Sequence, residues 1–285
     1  MKTVLKGTGK EVIVTPGGVT RIIGERINPT GRKKLAAALV AGDLERVRAE
    51  AIAQVAEGAD IIDVNVGAAG VDEEELLPMA VKVVSEVVDV PICIDSSNSD
   101  ALAAALAVCP GRPLVNSVNG EERSLEAILP VVKQYGAAVI GLAMDDDGIP
   151  TEPQKRLEIA RKIIERAESL GIAGEDVIID CLALTMGADS KAGLTTLTTI
   201  QLVRAELGVN ITLGASNASF GLPDREGINA GFLAMAVMAG MNCPIVNPKH
   251  SRLPLMVADL SLGRDDYAMN YLKAYRNAKK LGLIE

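Results

Sequence analysis

Apolar and polar positions alternate in a repeating grammar along the chain. Pro91 to Asn98, PICIDSSN, is the clearest instance: an apolar run ends at Asp95 and a Ser-Ser-Asn turn follows. Such a run suits a strand buried on both faces, and a carboxylate at its end needs something to accept or solvate it. Ile61-Ile62-Asp63-Val64-Asn65, Leu114-Val115-Asn116, Val177-Ile178-Ile179-Asp180 and Leu213-Gly214-Ala215-Ser216-Asn217 close in the same way. Between these runs the spacing turns helical. Leu35, Ala38, Leu39, Val47, Ile52 and Val55 predict helix from Arg32 to Glu57, interrupted at Gly42-Asp43.

Taken in order, the pattern predicts a hairpin over residues 1–20, a strand ending Glu25-Arg26-Ile27-Asn28, and strands over Ile61–Val66 and Pro91–Asp95. Further strands are predicted over Leu114–Val118, Ala137–Met144, Val177–Leu184, Ile211–Ser216 and Cys243–Asn247. Helices follow each one. They start near Asp72, at a Ser99-Asp100 cap, after Asn119-Gly120, at Pro153, after Asp189, at Ala230 and after Asn247. The strand-end markers Glu25, Asp63, Asp95, Asn116, Met144, Asp180, Asn217 and Asn247 are spaced 21 to 38 residues apart. Eight strand–helix units in 285 residues predict one TIM (β/α)8 barrel of class α/β over residues 1–285, whose sites form at the C-terminal strand ends. An open doubly wound sheet is the alternative, but the Gly-rich dinucleotide fingerprint is absent.

Composition narrows the chemistry. The chain is 48% hydrophobic, enough for a large core, and contains no uninterrupted apolar run long enough to span a bilayer. Its start lacks the apolar stretch of a secretory signal. Cys93, Cys109, Cys181 and Cys243 stand singly in apolar surroundings, as in reduced core cysteines, so a cytoplasmic protein is expected. A net charge of −8 argues against nucleic-acid binding. With no Trp, two Phe and four Tyr, a site built on aromatic stacking is not expected. The one His, His250, argues against multi-histidine metal centres and a Ser-His-Asp triad.

Some local patterns read as structure alone. Gly7-Thr8-Gly9-Lys10 lacks the spacing of a phosphate loop and reads as a turn. Asp145-Asp146-Asp147-Gly148 lacks the alternation of a calcium loop. Asp72-Glu73-Glu74-Glu75 reads as acids complementing a helix dipole.

The candidate site is the strand-end set Asp95, Asn116, Asp180 and Asn217, with Glu25, Asp63 and Asn65 as further members. Carboxylates accept hydrogen bonds and Asn both donates and accepts. The complementary ligand carries several N–H donors beside a carbonyl and ring nitrogens, and a pterin fits that description. A glycosidase would use paired carboxylates but also aromatic platforms. A magnesium-dependent barrel would need a Lys or His base at a strand end.

Gly24-Glu25-Arg26-Ile27-Asn28, Asp63-Val64-Asn65-Val66-Gly67, Asp95-Ser96-Ser97-Asn98, Asn116-Ser117-Val118-Asn119, Gly141-Leu142-Ala143-Met144 and Leu213-Gly214-Ala215-Ser216-Asn217 together resemble the pterin-binding methyltransferases. The likeness runs in order over about residues 21–260. It is nearest to methyltetrahydrofolate:corrinoid/iron–sulfur protein methyltransferase, related to the folate domain of cobalamin-dependent methionine synthase, and more distant from dihydropteroate synthase.

The resemblance implies a dihydropteroate-synthase-like barrel that takes tetrahydrofolate or methyltetrahydrofolate as substrate. It implies pterin anchoring by Asp95, Asn116 and Asp180, a catalytic Asn217 near the reactive N5, and Gly214, Ser216 and Arg225 lining the mouth. It departs at Cys181, where the family pattern has Pro after the Asp. It further implies methyl transfer between N5 and the cobalt of a corrinoid (cobalamin) carried by a separate protein, no resident metal, and a homodimer. Dihydropteroate synthase activity and non-catalytic folate binding are the alternatives. The first loop of the former, of the Asn-Val-Thr-Pro-Asp-Ser-Phe type, is replaced here by Ile27-Asn28-Pro29-Thr30-Gly31, and no Arg-x-His signature stands near His250.

Overall fold

The structure, a computed structural model, describes residues 1–284. An N-terminal hairpin, β1 (Thr3–Lys6) and β2 (Glu11–Val14), precedes the barrel strands β3 (Ile23–Ile27), β4 (Ile61–Val64), β5 (Ile92–Asp95) and β6 (Leu114–Asn119). These are followed by β7 (Ala138–Leu142), β8 (Val177–Asp180), β9 (Ile211–Thr212) and β10 (Ile245–Val246). All eight pair in parallel in the order β10-β3-β4-β5-β6-β7-β8-β9, and a parallel bridge from Gly214 to Ile245 joins the two ends. The ring is the expected (β/α)8 barrel.

The helices wrap it from outside. They are α1 (Lys33–Val40), α2 (Glu45–Ala56), α3 (Glu73–Val87), α4 (Ser99–Val108), α5 (Glu122–Tyr135) and α6 (Pro153–Ser169). After them come α7 (Ala192–Glu206), α8 (Arg225–Ala239), α9 (Pro248–Ser261) and α10 (Met269–Lys280). None is long and apolar enough to cross a membrane among the described residues.

Alternation along the strands sorts the side chains into two cores. Ile22, Ile62, Ile94, Val115, Val139 and Ile179 point outward and pack beneath the helices. Ile23, Ile61, Cys93, Leu114, Ile178 and Cys243 point into the barrel and meet Leu5, Val12 and Val14 of the hairpin. The hairpin therefore plugs the N-terminal end of the barrel, each of its three apolar side chains contributing roughly 1.5–3 kcal/mol by burial. Asn210 ties the plug in place, donating from Nδ2 to Thr3 Oγ1 at 2.8 Å and to the Val14 carbonyl at 3.0 Å. Two positions further along β3, β4, β5, β6 and β8, the inward side chains become polar.

Several boundaries differ from the sequence reading, and local hydrogen bonding gives the reason. The cap of α4 is Asn98, one residue before the Ser99-Asp100 pair, because its Oδ1 accepts from the N–H groups of Asp100 and Ala101. Strand β8 stops at Asp180, not Leu184, since the Asp180 carboxylate takes the Leu182 N–H at 2.7 Å and turns the chain. Strand β9 gives way at Gly214 to a single 3-10 turn over Ala215–Ser219. Helix α8 starts at Arg225 rather than Ala230, capped by Asp224.

Candidate functional site

The polar layer at the C-terminal strand ends brings the sequence-predicted residues to one mouth. Glu25, Asp63, Asp95, Asn116 and Asp180 occupy the positions two residues beyond Ile23, Ile61, Cys93, Leu114 and Ile178, and so share their inward face. In parallel register Asp95 pairs with Asn116, and Asp180 with Thr212.

On one side, Asn116 Nδ2 donates to Asp63 Oδ1 at 3.2 Å, and the Cys93 thiol also hydrogen-bonds to Asp63. The Asn65 amide faces Asp95, while Asn65 Oδ1 accepts the Gly67 N–H at 2.8 Å. Burial and the neighbouring Asp95 charge hold Asp63 well above the usual carboxylate range. Burial likewise raises Asp95, opposed by the Asn65 amide and reinforced by Glu73. A cavity of about 540 Å³ opens beside this pair, lined by Asp95, Ser96, Asn116, Asn119, Arg123 and Leu142 among others.

On the other side, Asp180 is buried and its carboxyl is pushed up to about 6 by desolvation, against the pull of the Leu182 and Gly214 N–H groups and of Arg156. The loop after it, where Cys181 stands in place of Pro, is held from behind. Buried Arg156 of α6 donates to the carbonyls of Pro150 (2.7 Å), Cys181 (2.8 Å) and Leu182 (2.7 Å). Leu182 takes a left-handed φ of 59° within that grip.

Asn217 lies exposed at the mouth on the turn after β9. A Cβ on Gly214 would stand 3.3 Å from Asn217 Nδ2, so the glycine leaves room for that amide. Ser216 and Arg225 join the same side: Ser216 Oγ donates to Glu25 Oε1 at 2.9 Å and Arg225 Nη2 donates to the Ser216 carbonyl at 2.7 Å. Burial raises the Glu25 carboxyl, opposed first by the Ser216 hydroxyl.

Four further participants are not evident from the sequence. Glu73 lies in the acidic run that reads as dipole complement, and Asp72 does cap α3. Glu73 itself reaches across to accept from Ser96 Oγ at 2.6 Å. Gln54 reads as an ordinary helix position, but its Oε1 accepts the Arg26 N–H at 2.8 Å behind β3. Arg156 and Ser219 carry no local signal; both are identified only by what lies beside them in space. Among the described residues no cluster of metal-ligating side chains occurs, and Asp145 to Gly148 forms a simple turn. The four cysteines are free.

Barrel and mouth define a class: a (β/α)8 barrel that gathers carboxylates and amides at the C-terminal ends of its strands. Residues 24–247 match the family described as pterin binding enzyme, and the chain belongs to that family. It is 31% identical over 266 residues to methylcorrinoid:tetrahydrofolate methyltransferase from Eubacterium limosum, covering 90% of this chain and 97% of that one. It is 33% identical over 242 residues to methionine synthase from Mycobacterium leprae, covering 79% of this chain but only 20% of that much longer protein. Within the family the chain is a methyltransferase. Among solved structures, Yersinia pestis dihydropteroate synthase superposes with a TM-score of 0.70 at 17% identity, covering 92% of this chain and 99% of that one. The Xanthomonas albilineans enzyme gives 0.64 at 21% identity, covering 90% and 98%. At such identities the likeness is one of fold.

Proposed function

We propose that this enzyme moves a methyl group between N5 of tetrahydrofolate and the cobalt of a corrinoid carried by a separate protein in the cytoplasm. The observation that carries the reading is the mouth itself. Asp63, Asp95, Asn116 and Asp180 present acceptors and one amide in a layer deep enough to exclude water from one edge of a flat heterocycle. Asn217 stands apart from them on the rim. The donor set fits an amino-pyrimidinone edge: Asn116 gives its N–H to Asp63, which leaves its own Oδ1 free to accept from the ligand. The relative from Eubacterium limosum, matched over nearly its whole length, supports the same reading.

An amine nitrogen is a poor leaving group. It departs more readily when a hydrogen bond strengthens as charge develops on it. Asn217 supplies that bond from the rim, and its amide serves transfer in either direction because it donates and accepts. The corrinoid supplies the metal centre that gives or takes the methyl group; this chain's residues bind and orient the folate.

Mixing the protein with methyltetrahydrofolate and reduced cobalamin tests the reading by the absorbance change to methylcobalamin. No spectral change with native folate affinity would leave a folate-binding protein and sink the transferase. Asp95→Ala is expected to weaken folate binding by about 1–3 kcal/mol, the loss of one buried charged acceptor. Calorimetry showing wild-type affinity would remove Asp95 from the anchor.

A homodimer is part of the same proposal. Helix α8 carries no charge from Gly227 onward and leaves Met235 and Met238 at 52% and 71% exposure, and its neighbours α7 and α9 also expose apolar side chains, Leu194 (68%) and Val257. Exposed apolar side chains on three adjacent helices suit contact with a second copy. Met238→Glu should convert a dimer to a monomer in sedimentation; a wild-type monomer at micromolar concentration would dismiss the interface.

A further inference from the structure

The barrel is thinnest between its last two strands. β9 and β10 have two residues each, and their ladder narrows to the single bridge from Gly214 to Ile245. The turn that carries Asn217 rises directly from this seam. Ala215, Ala218 and Ser219 of that turn are buried while Asn217 is exposed, so the buried residues seat the turn and the side chains bonded across the seam set where the exposed amide stands.

Three segments converge on the Glu25 carboxylate at that point. The Ser216 hydroxyl donates to Oε1 at 2.9 Å. The backbone N–H of Asn247, just past β10, faces the same carboxylate. Arg225 of α8 attracts it and clasps the turn from the other side, with Nη2 on the Ser216 carbonyl at 2.7 Å and Nε on Ser219 Oγ at 3.1 Å.

The backbone is bent to put Glu25 there. Between Gly24 and Ile27 the register of β3 against β4 slips by one residue, a bulge that re-aims the side chain. Gln54 satisfies the displaced Arg26 N–H, in space that a Cβ on Gly24 would fill: it would come 2.5 Å from Gln54 Oε1. A half-buried carboxylate is costly unless its oxygens are used, and two oxygens can serve Ser216 and Asn247 together.

We infer that Glu25 is a positioning residue: it fastens the Ala215–Ser219 turn across the β9–β10 seam and thereby fixes where the Asn217 amide stands. The inference rests on the proposed role of Asn217 at N5. Asp95, Asn116 and Asp180 sit on other strands and keep their own partners, so Glu25 acts on transfer and not on the grip of the pterin edge.

The experiment compares Glu25→Ala and Glu25→Gln, each alone and combined with Asn217→Ala. Glu25→Ala is expected to lower the methyl-transfer rate about tenfold or more, with methyltetrahydrofolate affinity within about twofold of wild type, the pattern of an interaction felt in the transition state. Glu25→Gln should recover most of the rate, because its amide oxygen still accepts from Ser216. On the Asn217→Ala background, Glu25→Ala should change the rate by less than about twofold, since residues acting through one group do not add. Amide hydrogen exchange should quicken over residues 215–219 in Glu25→Ala and stay unchanged in β5 and β6. Ser216→Ala removes the same bond from the other side and should reproduce both effects should Glu25→Ala fold poorly.

An equal rate loss with and without Asn217, folate binding that weakens as much as the rate, or unchanged exchange in the turn would each overturn the inference. A wild-type protein that transfers no methyl group would instead sink the proposed function, and the exchange measurement would still decide whether Glu25 holds the turn.

Discussion

Replacing Asn217 by Ala should lower methyl transfer roughly ten- to thousandfold, the range seen when one polarising donor is lost from a reacting centre, while leaving the fold intact. The two halves of that expectation have separate grounds. Asn217 is exposed on a five-residue turn, and exposed substitutions away from caps and buried partners usually change stability by less than about 0.5 kcal/mol. Its amide stands over a glycine whose missing side chain gives it room, so truncating it to a methyl group would leave a gap and no clash. The rate effect follows from the leaving amine. Without a donor whose bond strengthens as charge builds, the barrier rises by about 1.4–4 kcal/mol, which is the same ten- to thousandfold span. Stopped-flow spectra of methylcobalamin formation at saturating folate isolate this step. A variant with wild-type turnover would remove Asn217 from the mechanism, and one that melts several degrees lower would make the rate loss uninterpretable as chemistry.

The barrel could be read in the sequence because its signal is repeated. Eight apolar runs, all but the one ending at Met144 closed by a polar residue, at a spacing suited to βα units, leave little freedom for another architecture. What could not be read was the sorting within each run. Ile61-Ile62-Asp63-Val64 is simply apolar to the eye, yet Ile61 and Asp63 face inward while Ile62 and Val64 face the helices. Because both faces are buried, hydrophobicity carries no period-2 mark, and only the polar end betrays the inward face. The proposed anchors Asp95, Asn116 and Asp180 were therefore visible as strand ends, but the partners that fix them were not. Glu73 was hidden by a competing and partly correct role in a helix's first turn. Arg156 lies 24 residues before Asp180 on a charged helix, and no local pattern distinguishes it from the solvated arginines around it. The early end of β8 has the same origin: propensity favoured continuing through Cys181 and Leu182, and one side chain-to-backbone bond from Asp180 overrode it.

The Asp180→Asn variant should be more stable than the wild-type protein at pH 8, and the difference should vanish near pH 4. Burial holds the Asp180 carboxyl at about 6, with no full compensation from the Leu182 and Gly214 N–H groups or from Arg156. In the unfolded chain the same group titrates near 3.9. Between about pH 4 and pH 6 the native state thus binds more protons than the unfolded state, so stability falls as pH rises through that window and stays lowered above it. At 1.36 kcal/mol for each unit of pKa, the ionised carboxylate costs about 3 kcal/mol at pH 8. An amide of the same shape carries no charge to desolvate. It keeps one acceptor for the two N–H groups and turns an N–H toward the other, which returns part of the gain. The expected net is a stabilisation of about 1–2 kcal/mol, a rise of about 2–5 °C in melting temperature. Folate binding should move the opposite way, weakening by about 1–3 kcal/mol because the ligand's N–H donors lose a charged acceptor. In the wild type that affinity should also fall as the pH drops below about 6, since protonation removes the acceptor; in the variant it should be flat across the same range. Thermal melts from pH 4 to 8 and calorimetry on both proteins separate the outcomes. A variant that is less stable at every pH would mean that Asp180 is there for the fold. One that gains stability and loses ligand would mean that the site holds a carboxylate against the preference of the folded chain, and that bound folate offsets the strain.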